Sequence, residues 1–110
     1  MKLLDTLVSL GVRQAVLTSN DGLVIESAGK DIPHPDLLAA EISSLGRTSR
    51  TLSQSLGGET RRFTLATDDR EILVVFFKDY CLGAVVERGT DRKGIGNELS
   101  RLAIRLSHSL

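Results

Sequence analysis

Apolar residues return along this chain at two different periods, and the switches between them mark its elements. Leu3, Leu4, Leu7, Val8 and Leu10 recur at helical steps and Gly11 follows as a stop, which predicts a short opening helix. Next come "VRQAVLT" and "LVIESAG", runs rich in Val, Leu and Ile joined by "SNDG". Asp21-Gly22 tolerates the positive φ of a tight turn, so a hairpin is expected, with Asn20 and Asp21 as turn formers rather than catalytic groups. Both prolines lie in "KDIPHPD". Pro35 suits the first turn of a helix, and Asp36 and Glu41 favour the positive end of its dipole. That helix is expected to run unbroken from Pro35 to Leu56 and to stop at Gly57-Gly58.

The segments "TRRFTLAT", "REILVVFF" and "YCLGAVVE" then read as strands, separated by gaps so short that only antiparallel neighbours are joined. After "RGTDRKG", Ile95, Leu99, Leu102, Leu106 and Leu110 fall at steps of three and four and predict a closing helix. "EILVVFF" is nearly continuous in apolar residues, so its sheet should be covered on both faces. The expected fold is α+β, in the order α-β-β-α-β-β-β-α, a five-stranded antiparallel sheet with helices on both faces. Residues 1–110 are read as a single domain.

The helix from Pro35 to Leu56 has a second face that the pattern does not explain. At about 100° per residue, Leu38, Ile42, Leu45, Ser49, Leu52 and Leu56 cluster within about 40° of one line, the stripe expected on the sheet. About 80–100° around sit Ala39, Gly46 and Ser53, with Ser43 and Arg50 beside them. A helix-interior glycine costs about 1 kcal/mol relative to alanine, so something should offset it. This small edge is either the border with the sheet, an indifferent solvated face, or an interface for another backbone. Between Glu41 and Glu59 the only charged residues are Arg47 and Arg50, and surfaces poor in charge but bearing Arg resemble interfaces. "TRRFTLAT" reads as a possible sheet edge, where Arg61 and Arg62 either blunt aggregation or flank a strand that pairs with a second copy. A two-fold homodimer would use both features in one symmetric patch. On that reading Gly46→Leu breaks the dimer and spares the fold, while truncating Leu45 damages the core.

Composition removes several functions. Fourteen basic and fourteen acidic residues cancel, so the basic excess of a nucleic-acid binder is missing, and aromatics are only 4%, too few for stacking platforms. Cys81, the single cysteine, is expected as a buried inert thiol in a strand. "MKLLDTLVSLGV" is too short and polar for a signal peptide or membrane span, which points to a cytoplasmic setting without membrane insertion. His34 and His108 lack partners at metal-binding spacing. "GTDRKGIG" lacks the Gly-Lys-Ser/Thr ending of a phosphate loop, and "LGGE" is a helix stop. Neither a catalytic site, a metal nor a cofactor is expected.

The order of elements resembles the roadblock/dynein light-chain family of small-GTPase regulators, a profilin-like sandwich. The resemblance is carried by "GVRQAVLTSNDGLVIES", by "LLAAEI" in the long helix and by the closing "GIGNELSRLAIRLSHSL". It implies a homodimer or higher assembly, formed through the central helix and the following strand, acting as a platform for a Ras-like GTPase and in some bacterial members stimulating GTP hydrolysis. The dimer and partner positions it implies are Ala39, Ser43, Gly46, Arg47, Arg50 and Ser53 on the helix, and Arg61, Arg62, Phe63 and Leu65 on the strand. Arg47 or Arg50 is a candidate arginine finger, an element that contributes about 10³ or more to GTP hydrolysis, although rearrangement of the partner's own groups is the preferred mode. The alternative is a ligand-sensing or signalling domain of a two-component-type system, which requires a pocket with convergent polar groups.

Overall fold

The computed structural model describes residues 3–109. Leu110, the last position of the expected closing stripe, lies outside them. The opening helix α1 (Asp5–Ser9) is short, and Gly11 follows at φ +101°. β1 (Gln14–Ser19) and β2 (Val24–Gly29) form the expected hairpin. Gly22 turns it at φ +90°, a conformation strained for any side chain, and its N–H donates to the Ser19 carbonyl at 3.1 Å.

Helix α2 (Pro35–Thr48) starts as expected, with proline in its first turn. His34 acts there as the cap, its Nδ1 accepting from the Asp36 N–H at 3.2 Å. The long helix is not continuous. Ser49 interrupts it, and α3 (Arg50–Leu56) resumes beyond. The backbone bonds run on across it, from the Ser49 N–H to the Leu45 carbonyl and from the Ser53 N–H to the Ser49 carbonyl, both at 2.9 Å, and serine hydroxyls bond alongside them. Ser49 Oγ donates to the Gly46 carbonyl at 3.0 Å and Ser53 Oγ to the Ser49 carbonyl at 3.0 Å, and both hydroxyls also meet Thr60 Oγ1. Gly57 and Gly58, at φ +105° and +111°, then end the helix where the glycine pair was expected to.

β3 (Arg62–Ala66), β4 (Arg70–Phe77) and β5 (Tyr80–Glu87) complete a five-stranded antiparallel sheet in the order β2-β1-β5-β4-β3. The closing helix α4 (Arg92–Ser109) follows an Asp91 cap, whose Oδ1 accepts from the Gly94 N–H at 3.1 Å. One sheet face carries α1 and α4 over a core that includes Leu7, Leu17, Leu82, Ile95, Leu99 and Leu102. The other carries α2 over Val16, Ile72, Val74 and Cys81. Covering both faces is why β5 reads as continuously apolar, and six consecutive residues of that central strand are buried. β3 is an edge strand, covered on neither face as fully as the centre. No helix among the described residues is long and apolar enough to cross a membrane.

Candidate interaction surface

The small edge of α2 faces this chain's own sheet. Ala39 is 0% exposed and Ser43 3%, and Ser43 Oγ donates to the Ala39 carbonyl at 2.8 Å. Gly22 of the hairpin lies against the same helix, its missing Cβ only 3.4 Å from Ala40 Cα. A Cβ on Gly46 would stand 2.8 Å from Phe76 Cε1, so that glycine is explained by an intramolecular close approach. Ser53 is tied to Thr60. Expecting Ala39, Ser43 and Gly46 to meet a partner, and Leu45 to be core, is therefore corrected: small residues let the helix backbone approach the sheet, which turns the leucine line partly outward.

Leu38 and Ile42, at the start of that line, remain buried. Farther along, Leu45 is 38% exposed, Leu52 63% and Leu56 80%. Helix α2 touches β1, β2 and β5, whereas Leu52 and Leu56 lie on α3, beyond its end. On the same sheet face β3 presents Phe63, half-buried, and Leu65, 47% exposed and paired with Ile72 in the register. The Phe63 and Phe76 rings lie 5.6 Å apart, joining β3 to the residue beneath Gly46. Arg62 and Thr64 alternate to the opposite face. Arg61 is exposed just before the strand, and its carbonyl accepts from the Phe76 N–H at 2.8 Å.

The two helix arginines point toward the sheet end. Arg47 Nη1 donates to the Asn20 carbonyl at 3.2 Å. With Arg50 it lines a cleft of about 240 Å³ that also takes in Glu59, Thr60, Asp79 and Tyr80. Cys81 also lines it, almost fully buried. Burial pushes the thiol from 9.0 up to about 11, opposed by a hydrogen bond with Thr18 and by the Arg47 charge. Such a thiol is not a nucleophile at neutral pH. Because the unfolded chain releases the proton first, the stability of the wild type relative to Cys81→Ala should fall as pH rises from 9.0 towards 11. Urea midpoints of both proteins across that range check it, and a constant difference would refute it. Among the described residues no three His, Cys, Asp or Glu side chains gather where they could hold a metal ion.

Several known proteins share this arrangement. The family model described as the Roadblock/LC7 domain matches residues 2–87. A Roadblock/LC7 domain from Streptomyces avermitilis is 28% identical, with a TM-score of 0.85 over 93% of this chain and 89% of that one. An MglB structure described as having a tetrameric arrangement is 18% identical, with a TM-score of 0.88 over 96% of this chain and 82% of that one. Profilin II of Acanthamoeba castellanii shares the fold at 14% identity, with a TM-score of 0.71 over 96% of this chain and 94% of the other. No curated protein sequence matches significantly.

Proposed function

Since the chain belongs to the Roadblock/LC7 domain family, we propose that it is a homodimeric platform for a Ras-like small GTPase and carries no catalytic site of its own. The observations that support this most are the apolar side chains left open, Leu45, Leu52 and Leu56 along the two helix segments and Leu65 on an edge strand. Exposed leucines in such number, in a chain whose sheet also has an open strand edge, are costly for an isolated chain. A two-fold axis beside β3 would pair that strand with its copy and lay the leucine edges of two helices together. Phe63 and Leu65 would then be covered from above by the partner's helix. Arg61 would flank the pairing, and Arg47, Arg50 and Ser53 would lie at the ends of the joined helices.

Family membership supports the reading of a GTPase partner and of a cytoplasmic setting. A platform formed from two such helices offers a broad, rigid surface suited to binding one nucleotide state of a partner. It stimulates hydrolysis, where it does so, by rearranging the partner's groups rather than by inserting Arg47, whose guanidinium is already held by Asn20. The cleft beside Arg47 and Arg50 favours a second reading, a ligand-sensing or signalling domain, although its Glu59 and Asp79 offset most of the charge of Arg47, Arg50 and Lys78.

Immobilised protein, exposed to native extract loaded with either GDP or a non-hydrolysable GTP analogue, separates the two. A Ras-like GTPase retained in one nucleotide state only is the expected result. Equal retention in both states, or none, would overturn the platform reading.

A further inference from the structure

The opposite face of the sheet carries a second recess, between β3 and the first two turns of α4. It measures about 220 Å³. Its cationic rim comes from two elements, Arg62 on the strand and Arg92 and Lys93 on the helix, and no acidic side chain lines it. Arg92 Nη1 lies 3.1 Å from Glu71 Oε2, which neutralises both. Arg62 and Lys93 are exposed and make no ion pair among the described residues. The floor is apolar. Leu73 and Val75 line the recess and are only partly buried against the core beneath α4. Basic walls over an apolar floor are the complement of a segment that mixes carboxylates with aliphatic side chains.

Gly96 supplies an independent indication. It lies inside α4, where glycine weakens a helix relative to alanine. Gly94, two residues earlier, has an internal cause, because its Cβ would stand 2.5 Å from Asp91 Oδ2. Gly96 has none: a Cβ there would meet nothing within 4 Å. Yet Gly96 lines the recess, on the same side of the helix as Lys93 and Asn97. A glycine that nothing in its own chain requires, facing an open groove, fits the close approach of another backbone.

We propose that this recess is a docking groove for an extended, acidic segment of a partner protein, with aliphatic residues interspersed among its carboxylates. Such a segment would lie along β3, its alternate side chains turned down onto Leu73 and Val75. Its carboxylates would meet Arg62 and Lys93, and its backbone would pass over Gly96, within reach of Asn97 and Thr64. The groove lies on the sheet face away from α2, although it shares β3 with the proposed dimer.

Selection of short random peptides displayed against the immobilised protein tests it. The recovered binders should be rich in Asp and Glu interspersed with Val, Leu or Ile. Their affinity should fall by about tenfold or more in Arg62→Glu/Lys93→Glu and in Gly96→Leu, and stay within about twofold in Lys30→Glu, at a residue that follows β2 at the opposite edge of the sheet. Gly96→Ala, melted alongside, should be no less stable than the wild type, which separates lost docking from lost folding. Binders without an acidic excess, or acidic binders that keep their affinity in the groove variants, would overturn the proposal. Displacement of the peptides by equimolar inorganic phosphate would also overturn it, reducing the recess to an anion site.

Discussion

Leu52→Glu/Leu56→Glu is expected to leave a well-folded protein that no longer associates. Both side chains are largely exposed in the single chain, so replacing them disturbs little of its core, and the intrinsic stability of the monomer should stay within about 0.5 kcal/mol of the wild type. In a two-fold dimer each replacement counts twice, because the same edge is contributed by both copies. Fully burying a leucine is worth about 1.5–3 kcal/mol. Even partial burial of four leucines, replaced by four repelling carboxylates, amounts to more than about 3 kcal/mol, a loss of more than about hundredfold in dimer affinity. Light scattering reads the mass, and far-UV circular dichroism checks the fold. A variant that keeps its dimeric mass would remove the leucine edge from the interface. The same variant should also lose the GTPase, since the platform needs both helices.

Gly46→Leu should act on the fold itself. The new Cβ would begin 2.8 Å from Phe76 Cε1 and 3.0 Å from Cζ, and the Phe76 ring already packs against Phe63, with 5.6 Å between centroids. Overpacking of this kind costs about 1–3 kcal/mol. Much of that cost comes from one ring, so Gly46→Leu/Phe76→Ala should be less destabilised than the two single changes added together, by about 1 kcal/mol. Urea denaturation of all four proteins at one chain concentration measures the cycle. Simple additivity, with Gly46→Leu as stable as the wild type, would return this glycine to the outer surface.

These two sites also mark where sequence reasoning succeeds and where it stops. The strands were legible because their apolar runs are short, are punctuated by Asp21-Gly22, "DD" and "KD", and differ in period from the helices. Covering the sheet on both faces was legible in the unbroken run of β4 and is seen most fully in β5. The position of β3 at an edge was open to the sequence only as a possibility, from its place as the first of three consecutive strands, and the sheet order bears it out.

The orientation of α2 was not legible. A wheel of side chains identifies the apolar line, but how closely a helix sits on a sheet depends on the residues between helix and sheet. Ala39, Ser43 and Gly46 allow a close approach, and this rotates Leu45 and Leu52 outward. One clue was present: a glycine in a helix interior is as readily explained by a ring below it as by a partner above it, and Phe76 was available for that place. The break at Ser49 was equally hidden: the Ser49 and Ser53 hydroxyls both meet Thr60 there, a contact that no helical period predicts. The groove beside α4 needed the register of β3 against β4, which puts Arg62 and Thr64 on the α4 face and Phe63 and Leu65 on the other.

The most direct test of the central claim is sedimentation equilibrium of the unmodified protein over a range of micromolar concentrations. A mass twice the chain's 11.9 kDa is the expected result, falling to that of a single chain on dilution. A species that remains at 11.9 kDa throughout would contradict the dimeric platform and leave the leucine edge without its second copy.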